Sequence, residues 1–184
     1  MRKKELFGSK RKSGRLFGLV VSLALAVSLL SGCGQGKTRL TFGTGGTAGT
    51  YYSYGGVIAQ YITNHTDVKV TAVSTGGSKA NLQSVQDGDF QRGTVQSDVM
   101  AYAWNGVRAF EQDGATHDFR TLGGLYAETV QLFTMDPDIK TVADLKGKSV
   151  SIGAANSGVY FNALDVLNAG GITLDDIHPQ YLSF

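Results

Sequence analysis

From residue 38 onward, short stretches of alternating apolar and polar residues are followed by longer stretches with helical spacing. Leu40 and Phe42 alternate with polar neighbours, as do Val68, Val70 and Ala72. Alternation of this kind predicts strands. The segment between them carries apolar residues three and four positions apart, which predicts a helix with one buried face. The residues of that predicted face are Tyr54, Val57, Ile58, Tyr61 and Ile62.

The same alternation of elements continues to the end of the chain. Further strands are predicted at residues 90–96, 119–125, 129–134, 149–153 and 181–184. Helices are predicted from Ser78 to near Gly88, from Ser97 and Asp98 as capping residues through Phe110, briefly at 142–147, and at 159–170. Strands that alternate with helices predict an α/β fold with parallel strands.

Four polar loops rich in Gly, Ser and Thr follow predicted strands, and each opens a helix. They lie at residues 43–50, 75–78, 96–98 and 154–158. Ligands of such sheets bind at the carboxyl ends of the strands, where these loops lie. Helix N-termini offer unpaired N–H groups and a positive dipole end, which suit an anion. The sequence therefore predicts one cleft that receives a small anionic ligand.

Seventeen residues of these loops are candidate ligand-binding residues through backbone N–H groups, hydroxyls and amides. They are Thr44, Gly45, Gly46, Thr47, Gly49, Thr50, Tyr51, Tyr52, Thr75, Gly76, Gly77, Ser78, Gln96, Ser97, Asp98, Ser157 and Gly158. Two roles stay open at this point. Tyr51 and Tyr52 either wall the ligand or pack in the core, and Asp98 either accepts a ligand ammonium or stabilises its own helix N-terminus.

The first 32 residues have the pattern of an export signal. A basic stretch precedes an apolar run of about 15 residues at 16–30, which is short for a membrane span and typical of a signal peptide. Leu30-Ser31-Gly32-Cys33 then matches a bacterial lipobox, which predicts lipidation of Cys33, the only cysteine of the chain. Ordinary cleavage nearby and an uncleaved anchor are the alternatives. In each case the body lies outside the cytoplasmic membrane.

Charge and motifs exclude several other function classes. The signal segment carries a net charge of +6, so the rest of the chain has a net charge of −4 rather than +2, and no basic patch indicates nucleic acid. Residues 43–48 fit G-x-G-x-x-A, but no acid follows at the end of the second strand, as a dinucleotide site requires. We expect no cofactor, no metal site and no catalytic residue, because the three histidines are scattered and no nucleophile has a base.

Several segments, taken in order, resemble the TAXI family of solute receptors, which serve tripartite ATP-independent periplasmic (TRAP) transporters. The resemblance rests on the lipobox cysteine and on residues 45–52, Thr75-Gly76-Gly77-Ser78 with Asn81-Leu82, Val95-Gln96-Ser97-Asp98, residues 142–148 and Ser157-Gly158. It covers essentially all of residues 38–184. Gln91-Arg92-Gly93 departs from it, because that strand is usually apolar in the family; Arg92 either faces the cleft or lies at an exposed edge.

The resemblance implies a type II periplasmic-binding-protein fold, in which two hinged α/β lobes close on a ligand. After the signal peptide at 1–32 and a short polar tether at 33–37, the resemblance implies lobe one at 38–125 and an incomplete lobe two at 126–184. The implied ligand is a small carboxylate or an amino acid similar to glutamate or glutamine, and the implied partner is a TRAP permease subunit. An exported enzyme and a sensor or adaptor lipoprotein on the same fold remain the alternatives.

Overall fold

The computed structural model describes residues 37–183, so the predicted signal peptide and Cys33 lie outside the described residues. Its strands are β1 (Thr38–Gly43), β2 (Val68–Val73), β3 (Arg92–Gly93), β4 (Ser149–Ser151) and β5 (His178–Gln180). Its α-helices are α1 (Thr50–His65), α2 (Ser78–Gln86), α3 (Ser97–Asn105) and α4 (Gly158–Ala169). Single turns of 3₁₀-helix occupy Arg108–Phe110, Val142–Leu145 and Leu174–Asp176. In this part of the chain no helix combines the length and hydropathy that crossing a membrane requires.

The strands form two parallel sheets, which confirms the predicted α/β class. The first sheet has the order β2-β1-β3, with Thr38 opposite Val68 and Gly43 opposite Val73. The second sheet pairs β4 with β5, with Val150 opposite Pro179. All described strand pairs are parallel, so their carboxyl ends point the same way within each sheet.

Three hydrophobic clusters stabilise these layers. One joins β1, β2 and α1 around Phe42, Ala59 and Val70. Another lies under β4 and α4 around Ile152 and Leu167. The third joins α2, α3 and the following 3₁₀ turn to α4, and its buried members are Leu82, Val99, Ala103, Phe110 and Phe161. The described residues from 38 to 183 therefore belong to one compact unit.

The buried face of α1 differs from the predicted one. Val57 and Tyr61 are 67% and 64% exposed, and the fully buried helix residues are Gly55 and Ala59. The larger predicted residues Ile58 and Ile62 are only partly buried at the edge of the cluster. The physical reason is that the helix lies very close to β1, where only small residues fit.

The third helix and its strand are shorter than predicted. Helix α3 ends at Asn105 because Gly106 adopts the left-handed conformation, so the turn to Phe110 is a separate 3₁₀ element. The N-cap is Gln96, not Ser97 or Asp98, and it makes no side-chain capping bond. Strand β3 has two residues instead of seven, because the Gln91 side chain bonds the Thr41 N–H at 2.9 Å in place of a backbone partner.

Two strands predicted between residues 119 and 134 are wrong, because residues 115–134 contain neither helix nor strand. A strand requires a neighbour for its N–H and C=O groups, and neither described sheet pairs with this segment. The last strand lies at 178–180 rather than 181–184. Arg92 is half-buried on the edge strand of the first sheet and donates a hydrogen bond to the adjacent Gln91 carbonyl.

Neighbouring glycines in α1 give a matched test of this packing. A Cβ on Gly55 would lie 2.4 Å from Thr44 Cγ2, whereas a Cβ on Gly56 meets nothing within 4 Å. We expect Gly55→Ala to lower the free energy of unfolding by about 1–3 kcal/mol through overpacking. We expect Gly56→Ala to raise it by about 0.5–1 kcal/mol, because alanine favours the helix. Urea unfolding followed by circular dichroism measures both, and equal effects would contradict the close approach of α1 to β1.

Candidate functional site

A cavity of about 550 Å³ lies at the carboxyl ends of the strands of the first sheet. The loops that follow β1 and β2, residue Gln96 after β3, and the start of α4 all line it. Residues 126–132 and the apolar side chains of β4 and α4 complete the wall. The four polar loops predicted from sequence therefore border one cavity.

Hydrogen bonds tie the first two loops to each other. The Thr44 hydroxyl donates to the Val73 carbonyl at 2.6 Å, and the Ser74 hydroxyl donates to the Gly45 carbonyl at 2.8 Å. The Thr75 hydroxyl donates to the Thr44 carbonyl at 2.9 Å and accepts the Gly77 N–H at 3.1 Å. These hydroxyls are used within the protein, so they hold the loops in place.

Asn81 connects the loop after β1 to the loop after β3. Its side-chain amide is fully buried and donates to the Thr44 carbonyl at 2.7 Å and to the Thr94 carbonyl at 2.8 Å. Gly43 approaches so closely that a Cβ there would lie 2.5 Å from Asn81 Oδ1. One side chain thus fixes the ends of two strands of the first sheet.

The fourth loop meets the second and third across the cavity. The Lys79 N–H donates to the Asn156 carbonyl at 3.3 Å, and a Cβ on Gly77 would lie 3.4 Å from Ser157. Gln96 Nε2 donates to Asn162 Oδ1 at 3.0 Å. Gly77 has φ of 101°, a conformation that favours glycine.

Three helices begin at the cavity, and their first residues line it. These are Thr50 and Tyr51 of α1, Ser78 of α2 and Gly158 of α4. Ser157 caps α4 by accepting the Tyr160 N–H, but no side chain of the described residues caps α1 or α2. The Asn156 carbonyl already accepts the Lys79 N–H. The N–H groups suited to an anion are therefore those of the first turn of α1 and that of Ser78 at the start of α2.

The structure separates the predicted residues into two groups. Eleven line the cavity: Gly45, Gly46, Gly49, Thr50, Tyr51, Gly76, Gly77, Ser78, Gln96, Ser157 and Gly158. Six do not: Thr44, Thr47, Tyr52, Thr75, Ser97 and Asp98. Within the second group Thr44 is fully buried and Thr75 bonds neighbouring backbone, whereas Thr47, Tyr52 and Ser97 are exposed. Both oxygens of Asp98 accept bonds, from the Val99 N–H and from Asn162 Nδ2.

Sequence reasoning missed the wall formed by residues 126–132 and the apolar wall of the second sheet. The first includes Tyr126, Glu128 and Leu132, and the second includes Leu145, Val150, Ile152 and Val166. The apolar alternation at 129–134 is the sequence signal of this wall, but the segment lines the cavity without pairing in a sheet. No local pattern distinguished Glu128 from other surface acids.

Glu128 and two tyrosines dominate the electrostatics of the cavity. The Tyr51 hydroxyl donates to Glu128 Oε2 at 3.0 Å, and the Tyr126 hydroxyl donates to Oε1 at 3.5 Å. Burial, with the nearby Glu128 charge, raises the pKa of Tyr126 to about 12 and raises that of Tyr51 further. Both tyrosines are therefore neutral hydrogen-bond donors at neutral pH.

An α/β fold whose polar loops surround one cavity at the strand ends is typical of solute-binding proteins. Residues 42–184 match the NMT1-like family, and the chain belongs to that family, which has the periplasmic-binding-protein fold.

Two solved structures are similar to this chain. One is the alkanesulfonate-binding protein SsuA from Xanthomonas axonopodis pv. citri bound to MOPS, at 18% identity and a TM-score of 0.45. The other is the periplasmic aliphatic sulphonate binding protein SsuA from Escherichia coli, at 22% identity and a TM-score of 0.45. Each comparison covers 79% of this chain, and 48% and 47% of the respective relatives. The chain thus spans about half the length of these structures.

Two asparagines test the role of Asn81 in holding the loops. Asn81→Ala removes both buried hydrogen bonds and leaves the Thr44 and Thr94 carbonyls without these donors. We expect a loss of about 2–4 kcal/mol in the free energy of unfolding. Asn105→Ala is the control, because its amide bonds only the Ala101 carbonyl at an exposed helix end, and we expect a change within about 0.5 kcal/mol. Urea unfolding compares them, and equal losses would contradict the proposed role.

Proposed function

We propose that this protein is the extracytoplasmic substrate-binding lipoprotein of a TRAP-type transporter. It captures a small carboxylate or an amino acid similar to glutamate or glutamine and delivers it to the membrane permease subunit. The observation that carries this proposal is the single cavity onto which the four polar loops open. Membership of the NMT1-like family supports a substrate-binding role.

The helix N-termini supply the anion site of this proposal. The carboxylate accepts hydrogen bonds from the first-turn N–H groups of α1, near Thr50 and Tyr51, and from the Ser78 N–H at the start of α2. Fixed N–H groups suit reversible binding, because the loops that carry them are already ordered by their own hydrogen bonds. No bond of the ligand is made or broken, and no cofactor takes part.

The two parts of the structure correspond in this proposal to two lobes, at residues 38–125 and 126–184. Contacts that span the parts are Tyr102 to Asp165 at 3.2 Å, the ion pair between Arg108 and Asp165, and Gln96 to Asn162. A ligand that touches both lobes stabilises the arrangement in which these contacts form. The difference in ligand affinity between the closed and open arrangements then determines how strongly the ligand favours closure.

The cell envelope is the proposed location, with an acyl anchor on Cys33. Two or more acyl chains give stable attachment to a membrane, whereas one gives marginal attachment. The body of the receptor would then remain beside the permease that it serves.

A ligand panel tests the binding function. The chain, purified from bacterial membranes in mild detergent, is titrated calorimetrically with amino acids, dicarboxylates and aliphatic sulfonates. We expect at least one carboxylate to bind with a dissociation constant in the micromolar range or below, and to raise the unfolding temperature through linkage. Ser78→Pro removes one N–H at the start of α2, together with the hydroxyl that accepts the Gln96 N–H, and is expected to weaken binding of that ligand about tenfold. The absence of binding to every acid would overturn the proposal.

Metabolic labelling with radioactive palmitate tests the anchor. We expect the chain to be labelled and to sediment with membranes, because Cys33 is the acceptor of the acyl group. Cys33→Ala should be unlabelled at this position, although an uncleaved signal segment would still hold it in the membrane. Labelling of the Cys33→Ala variant, or the absence of label on the unaltered chain, would contradict lipidation.

A further inference from the structure

We propose that Glu128 binds the ammonium group of a zwitterionic ligand, so that the cavity selects small acids that also carry a primary amine. This inference rests on the proposed binding function and names the class of ligand more narrowly. It assigns the amine to Glu128 rather than to Asp98, the acid that the sequence analysis considered for that role.

Among residues 37–183, Glu128 is the one cavity-lining residue with a charged side chain. The described lining contains no lysine, arginine or histidine, and its other polar side chains are hydroxyls and amides. The four described ion pairs of the chain join residues outside the lining. A cationic partner for Glu128 is therefore absent from the cavity wall itself.

The two tyrosines orient the Glu128 carboxylate but leave some of its hydrogen-bond acceptor positions unused. Tyr51 and Tyr126 each donate one hydrogen bond, one to each oxygen. A carboxylate has about four acceptor positions, so about two remain for a ligand. An ammonium group offers three donors and a full positive charge, which matches those positions in number and sign.

Asp98 is less suited to this role than Glu128. Its two oxygens accept hydrogen bonds from the Val99 N–H at 2.8 Å and from Asn162 Nδ2 at 2.9 Å. It does not line the cavity. Its charge lies in the first turn of α3, where it stabilises the helix N-terminus.

The position of Glu128 places the two charges of a ligand side by side. Tyr51, which bonds Glu128, belongs to the first turn of α1, whose N–H groups form part of the proposed anion site. In an α-amino acid the ammonium and the carboxylate are attached to the same carbon, so the two groups reach adjacent partners. The apolar side chains of Leu132, Ile152 and Val166 then face the remainder of the ligand.

The charge of Glu128 favours zwitterions over acids that lack an amine. An acid without an amine brings a negative charge toward Glu128 with no cation on the wall to offset the repulsion. A zwitterion brings its own cation to that position and keeps its carboxylate for the helix N-termini. The amine should therefore strengthen binding rather than merely be tolerated.

Matched ligand pairs that differ only in the amine test this proposal on the full chain in mild detergent. The pairs are L-leucine with 4-methylpentanoate, L-phenylalanine with 3-phenylpropanoate, L-glutamate with glutarate, and taurine with ethanesulfonate. Calorimetry should show that the amine-bearing member binds at least about tenfold more tightly in any pair that binds. Glu128→Gln should abolish most of that preference, because it weakens binding of the amine-bearing ligand and strengthens binding of the acid that lacks the amine.

Glu111→Gln provides the control, because Glu111 is exposed, as Glu128 is, but lies outside this cavity. It should leave the preference unchanged, and both variants should unfold at the temperature of the unaltered chain. A preference for plain acids, or an amine preference that survives Glu128→Gln, would overturn the assignment of Glu128 and leave the binding function standing. Failure of every compound to bind would overturn both.

Discussion

The buried amide of Asn81 is the interaction on which the rest of the site depends. It donates to carbonyls from the ends of two strands, and Gly43 lies against its oxygen side. Backbone carbonyls at strand ends have lost their ladder partners. Asn81 supplies a buried donor to the Thr94 carbonyl and, beside the Thr75 hydroxyl, a second donor to the Thr44 carbonyl. Once these ends are fixed, the loops that follow them have little freedom, and the hydroxyls of Thr44 and Thr75 complete the arrangement.

Apolar packing beside these loops connects the part of the chain that holds the first sheet to the part that holds the second. Phe161 belongs to α4 but lies in the cluster formed by Leu82, Val99 and Phe110. This places the start of α4 beside the start of α2, which is why Ser157 lies next to Gly77. The cavity is thus a consequence of two independent constraints, polar bonds at the strand ends and one shared hydrophobic cluster.

The class of fold and the grouping of the polar loops could be predicted from sequence, because both follow from local patterns. Strand alternation, helix spacing and the Gly-Ser-Thr loops are each readable within about ten residues. The buried face of α1 could not be predicted, because burial there depends on the approach of Gly55 to Thr44 rather than on hydrophobicity. The role of Glu128 could not be predicted either, since it depends on contact with Tyr51, far away in the sequence.

The six predicted residues that do not line the cavity show what the pattern could not resolve. A hydroxyl at the end of a strand can serve a ligand or the backbone, and Thr44 and Thr75 serve the backbone. Their glycine neighbours are left to face the cavity, where the absence of a side chain exposes N–H groups. Thr44 and Thr75 therefore order the loops through hydrogen bonds, and the neighbouring glycines leave backbone N–H groups facing the cavity. The carboxylate of Glu128 sets the side-chain charge that a ligand meets. In the part of the chain that the structure describes, the wall combines helix N-termini with one acid and no basic side chain, which suits a ligand that carries both signs of charge.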